Sequence, residues 1–205
     1  MAILYDAPRT ANFLIWDQAY VSREEGVIDT ANPMLPGALV EKQVAQGTAD
    51  GKPATQNAGD GTISAVTVAA TAKAGTYTAT FTGATAFTVT DPGGTTVATG
   101  TTGSAFNNQI GFTITVGDEA FVDGDSFIIT VDITEFNYVP IASGDIAGVL
   151  FEGISQDEID SGETLKRTVI ARNAEVQLSG LVLGAKTQAE AIEGLNALGI
   201  AVRIH

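Results

Sequence analysis

Two acidic pairs are the residues best suited by type and spacing to do chemistry. Asp118-Glu119 and Asp123-Gly124-Asp125 fall close together in a glycine-containing hairpin. Hard cations take oxygen ligands from such loops, which makes Asp118, Asp123 and Asp125 weak candidates for a calcium site. The full D-x-D-x-D-G pattern with a distant Glu is missing, and an ordinary solvated turn accounts for the same residues. Read as paired carboxylates they are also the raw material of a glycoside hydrolase. No cluster of aromatics for sugar stacking surrounds them, so the expectation is a protein with no catalytic residues, no metal and no cofactor.

Other reaction chemistries lack material. The 205 residues include no cysteine, which removes disulfides, thiolate metal sites and cysteine nucleophiles together. The single histidine is the last residue, His205, so a Ser/His/Asp triad would depend on a chain terminus. No G-x-x-x-x-G-K-[ST] occurs among the glycine-rich stretches, so they do not read as phosphate-binding loops. The densest basic spot is Lys166-Arg167 with Arg172, which more simply balances the segment before it, Gln156 to Gly162, read as an acidic loop, than binds a ligand. With a net charge of −14, the surface should repel phosphate backbones, and no direct nucleic-acid partner is expected.

The N-terminal segment Asn12-Phe13-Leu14-Ile15-Trp16 is a concentrated apolar stretch. It admits two readings. One is an edge strand packed on its own domain. The other is an arm that docks on a partner, adding a strand through main-chain hydrogen bonds while Phe13, Ile15 or Trp16 fill pockets.

These residues must be positioned by a fold whose composition changes twice along the chain. Residues 48–134 form a Thr/Ala/Gly-rich block with only two cations, Lys52 and Lys73, and both flanks are more mixed. In Thr76 to Thr82 the threonines alternate with Tyr77, Ala79 and Phe81, the period-two pattern of a half-buried strand. The pattern recurs at 87–90, 112–116 and 127–131. Asp91-Pro92-Gly93-Gly94 and Gly59-Asp60-Gly61 supply turns. Short strands with such turns point to a small antiparallel sandwich or barrel whose core is Phe81, Phe87, Phe106, Phe112, Phe121 and Phe127.

On the C-terminal side, Ile146 to Phe151 suits a strand buried on both faces, and 165–171 and 174–178 read as two more. Thr187-Gln188-Ala189-Glu190 has capping-box spacing ahead of an apolar stripe, Ala191, Ile192, Leu195 and Leu198, with Gly199 as the stop. A last strand follows at 200–204. No apolar run approaches the ~20 residues that span a bilayer, and MAILYDAPRT makes a poor secretory signal. Synthesis in the cytoplasm, with no membrane partner, is the expectation.

Residues 20–48 and 136–205 resemble the lambda-type bacteriophage head-decoration, or capsid cement, proteins. The likeness is carried by VSREEGVIDTANPMLPGALVEK, by AGVLFEGI at 147–154, by KRTVIARNAEV at 166–176 and by AIEGLNALGIAVR at 191–203. The middle, from AKAGTYTATF to FVDGDSFIITV, looks like an insert found in many phage virion proteins. The smallest family members lack it, and the first ~20 residues match only in general character. The resemblance implies a docking arm at 1–20, a discontinuous decoration core at 21–54 and 135–205, and an inserted β domain at 55–134. The fold class is then α+β and mostly β, a mixed core with one C-terminal helix interrupted by the insert.

The same resemblance implies a structural protein of the virion, synthesised in the host cytoplasm, that works as a homotrimer on the outer surface of the expanded head. There it clamps the major capsid protein against the pressure of packaged DNA, with the N-terminal arm, Asn12 to Trp16 included, pairing with capsid strands. A host-surface glycan, bound through the insert, is a further partner open to such a protein. The alternative is an Ig-like carbohydrate- or host-surface-binding module of a phage tail or cell-surface protein.

Overall fold

A computed structural model describes residues 12–204; expectations for residues 1–11 and for His205 lie outside the described residues. In chain order the elements are β1 Leu14–Asp17, α1 Ala19–Ser22, β2 Arg23–Ile28, β3 Leu39–Pro53, β4 Thr62–Ile63, β5 Thr67–Val68 and β6 Gly75–Phe81. Then come β7 Ala86–Thr90, β8 Thr96–Thr101, β9 Ala105–Asn107, β10 Ile110–Thr115 and β11 Ser126–Pro140. The chain closes with β12 Gly148–Leu150, α2 Gln156–Asp160, β13 Lys166–Ile170, β14 Ala174–Gln177, a 3-10 turn at Leu178–Gly180, α3 Gln188–Ala197 and β15 Ala201–Arg203. The fold is mostly β, as the alternating threonines and valines require.

Two compact units divide the chain. One comprises residues 1–43 with 136–205, the other residues 44–135. The second unit begins within β3, at Val44, whereas the sequence reading starts its insert at residue 55. The reason lies in that strand: beyond Gln43 its residues serve the second unit, where Ala49 packs on the core and Val44 donates its amide to the Ala70 carbonyl.

Unit 44–135 is built from antiparallel pairs. β11 pairs with β6, β6 with β7 and β7 with β8, while β10 pairs with β4, β5 and β9. Along β6 the burial alternates strictly, with Tyr77, Ala79 and Phe81 inward and the threonines outward. All six expected phenylalanines are buried in one cluster, and Phe81 stacks on Phe121 with ring centroids 4.0 Å apart. The Gly59-Asp60-Gly61 turn packs against that ring: a Cβ on Gly61 would stand 2.4 Å from Phe121 Cζ and 2.4 Å from the Thr115 carbonyl oxygen. Only glycine fits there.

The other unit contains a closed five-stranded barrel of mixed direction, in the order β2, β13, β12, β3, β11 and back to β2. Closure comes from a parallel pairing of Asn137 and Tyr138 with Val27 and Ile28. Period two then sorts each strand. Val40, Tyr138, Leu150 and Val169 fill one cluster with Ile28, Met34 and Ile154. Their neighbours Leu39, Val149 and Ile170 join a second cluster with Phe13, Val176, Ala191, Leu195 and Ile200. That second core is shared with a three-stranded sheet in the order β1, β14, β15 and with α3. The capping box of α3 is formed as its spacing predicts, Thr187 accepting from the Glu190 amide and Glu190 accepting from the Thr187 amide.

The acidic stretch at 156–162 corrects the sequence reading. It is not a loop but begins with a helix, α2, capped by Ser155 and Glu158 in a second capping box. No residue of α2 is buried, so no apolar stripe betrays it in the sequence. The cue that is present is the S-x-x-E spacing itself.

Candidate interaction surface

The acidic candidates do not converge. Asp118 and Asp123 are exposed, whereas Asp125 is buried and both its oxygens are occupied. Asp125 Oδ1 accepts from the Ala58 amide at 2.9 Å, and Oδ2 accepts from the Gly59 and Val122 amides at 3.0 Å each. Burial opposes its charge, but the three amide donors outweigh that and hold its carboxyl below the usual carboxylate range. Asp125 is thus a clamp joining two loops of its unit. Among the described residues no group of three His, Cys, Asp or Glu is placed to hold a metal ion.

Asp91 plays the same part at the Asp-Pro-Gly-Gly turn. It accepts from the Gly93 and Thr95 amides at 2.9 Å each and pairs with the Lys73 ammonium at 2.6 Å. The Lys73 hydrogen bond, then the Thr95 amide, keep its carboxyl low. The basic spot at 166–172 is divided. Arg167 pairs with Glu158 of α2, as balance of the acidic stretch requires, but Arg172 turns instead to Glu24.

The N-terminal residues are more telling. Phe13 is 1% exposed and belongs to the chain's own core. A Cβ on Gly180 would stand 2.8 Å from Phe13 Cα, and one on Gly37 would stand 3.2 Å from the Phe13 ring, so two glycines line its socket. The Phe13 carbonyl also accepts from the Gln177 amide at 2.7 Å. Phe13 is therefore an anchor and not an available docking side chain, and Leu14 is partly buried beside it.

Beyond that anchor β1 pairs antiparallel with β14, Leu14 opposite Val176 and Trp16 opposite Glu175. The register shift between them is a bulge, which adds a residue and turns consecutive side chains away from strict alternation. Ile15 and Trp16 consequently both face outward, 51% and 55% exposed, on a strand that forms the edge of its sheet. Tyr20 and Val21 of α1 are exposed a few residues on, and Asn12 is exposed just before. An edge with no strand partner among the described residues, carrying adjacent apolar side chains, has the equipment for strand addition. A separate apolar cleft of about 310 Å³ in the same unit is lined by Pro33, Met34, Leu35, Pro140, Ile141 and Val182.

No family model matches the chain, and no curated protein matches it. Two crystal structures of Xanthomonas campestris FlgL are similar to part of it. The form in space group H3 aligns at 23% identity and a TM-score of 0.34, covering 51% of this chain and 34% of that one. The form in space group C2 gives 24% identity, the same TM-score, and 51% and 33% coverage. The chain thus spans about a third of the length of FlgL that it matches.

A polar cluster lies at one mouth of the barrel. Glu24 is paired with Val169 across β2 and β13, and Lys42 follows Val40 by two, so both share the face of barrel-core residues. The Tyr138 hydroxyl donates to Glu24 Oε2 at 2.6 Å and Lys42 Nζ donates to the same oxygen at 3.1 Å. Arg172 pairs with the other oxygen, Oε1. Burial pushes the Tyr138 hydroxyl up to about 12 and holds the Lys42 ammonium below its ordinary range. No spacing in the sequence links these residues, because closure of the barrel brings them together.

Proposed function

We propose that the chain is a capsid cement protein of a bacteriophage. It binds as a homotrimer to the outer surface of the expanded head and holds neighbouring major capsid subunits together. No chemical step and no cofactor is involved. The reading is supported by the order and combination of the four segments that resemble head-decoration proteins, and by one structural observation that carries it: the bulged edge strand β1, with Ile15 and Trp16 exposed side by side.

In this reading β1 is the part of the docking arm that meets the capsid protein, and Phe13 is the pin that fixes it to its own protomer. Each added strand bond contributes only ~0.5–1.5 kcal/mol net. Ile15 and Trp16 add desolvated anchors, and three copies on one trimer bind with multivalent gain. The stretch from Lys73 to Lys166 carries thirteen acidic residues and no basic ones between those two lysines, a charge that suits a solvent-facing outer surface away from DNA.

The test is co-sedimentation of the purified protein with empty expanded heads of its phage. Saturable binding at capsid stoichiometry is expected. Binding to host cells or glycans with none to heads would replace this reading with the adhesive one.

A further inference from the structure

Four ion pairs elsewhere in the described residues join one cation to one carboxylate: Arg23 to Asp17, Lys52 to Asp50, Arg167 to Glu158 and Arg203 to Glu175. Glu24 is the exception. It is shared by two cations, Lys42 and Arg172, and by the Tyr138 hydroxyl. Its two oxygens therefore already take three donors, and the cluster keeps one positive charge in excess within a chain of net charge −14. Both cations line an open cavity of about 500 Å³ at the barrel mouth. Glu24 itself and Asn173 line it too, and the rest of its wall is apolar, formed by Ala147, Ala171 and Leu198.

We propose that this cavity binds a carboxylate carried on a short aliphatic stem, with Arg172 and Lys42 as the charge partners and the apolar wall receiving the stem. The donors are free to do so. Lys42 Nζ has three hydrogens and gives one to Glu24, and Arg172 gives one Nη1 hydrogen to the Val21 carbonyl at 3.0 Å and one Nη2 hydrogen to Glu24, leaving Nε–H and one hydrogen on each Nη. Glu24 cannot swing across to satisfy them, because the Tyr138 hydroxyl fixes it. A second carboxylate brings the cluster to two against two, and charge-assisted hydrogen bonds of that kind are the strong ones. The Lys42 side chain is 39% exposed, so its ammonium is reachable from the cavity.

The chemistry has two sources, an aspartate or glutamate side chain of a protein or a small free carboxylic acid. The site stands independently of the capsid reading. Amide-resolved NMR titration of the full chain separates the sources, using glutarate as one probe and the capped peptide acetyl-Gly-Glu-Gly-amide as the other. Saturable shifts at Ala171, Asn173 and the Arg172 Nε–H are expected. Glutarate alone producing them assigns a free acid; the peptide producing them assigns a protein side chain. Arg172→Gln and Lys42→Met should each weaken binding by about tenfold, the loss of one charge-assisted pair. Glu24→Gln, which releases donors, should tighten it. Spectra of the unliganded variants report whether each is folded, and Glu24→Gln tests the idea by gain where the other two test it by loss. Absence of saturable shifts with both probes, or unchanged affinity in folded Arg172→Gln and Lys42→Met, overturns the proposal.

Discussion

Gly180 and Phe13 approach so closely that a Cβ on the glycine would stand 2.8 Å from the phenylalanine Cα. That contact seats the first described residues in a core also formed by Val176, Ala191 and Leu195. It divides a short apolar segment into two roles, one residue turned inward to hold the strand and two turned outward by the bulge.

Phe13→Ala should destabilise the protein by about 3–5 kcal/mol, the usual cost of emptying a buried aromatic site. Ile15→Ser and Trp16→Ser should stay within about 0.5 kcal/mol of the parent, as exposed positions do. Urea denaturation of the three variants checks the contrast. Equal losses at all three positions would mean that Ile15 and Trp16 belong to the core as well.

Gly61→Ala places a methyl group against the Thr115 backbone oxygen and the Phe121 ring at once. Backbone cannot rotate aside, so the expected cost is about 1–3 kcal/mol, that of an overpacked core. Gly83→Ala is the control, because a Cβ there meets nothing within 4 Å. Thermal unfolding of the pair measures the difference.

Acid should weaken the protein through carboxylates whose pKa is depressed by folding. Asp125, Asp91, Glu158 and Glu190 all lie below their ordinary values of 3.8 and 4.5. A depressed acid binds fewer protons when folded than when unfolded, so its contribution is fully present above those ordinary values. It is lost as pH falls through the folded ones. Melting temperature should accordingly be level above about pH 5 and fall below about pH 4. Asp125→Asn should lower it at neutral pH and flatten the acid limb.

How much of this was legible in the sequence follows from the range of each interaction. The Phe81-to-Phe127 core and the Thr187 cap are local patterns, alternation over a few residues or a spacing of three, and both are formed as read. Helix α2 escaped because it buries nothing, although Ser155 and Glu158 mark its start. The barrel escaped for a different reason. Its closing pairs, Val27 with Asn137 and Ile28 with Tyr138, join residues more than a hundred positions apart, and no periodicity encodes which strand closes on which. The shared Glu24 site depends on that closure and was equally hidden. Phe13 and Trp16 read as one apolar segment, but the bulge that separates their roles is a matter of register with β14.

Oligomeric state is a separate prediction. Sedimentation equilibrium at micromolar concentration, or on the capsid surface, should reveal a trimer. A stable monomer in both settings would remove the central geometry of a clamp that acts through three arms.

The most direct measurement is a cryo-EM map of expanded heads decorated with the protein. The capsid reading predicts trimeric density on the outer surface, with β1 of each protomer lying against a strand of the major capsid protein and Trp16 enclosed between them. Decoration with β1 facing solvent, or heads left bare at saturating protein, would contradict it.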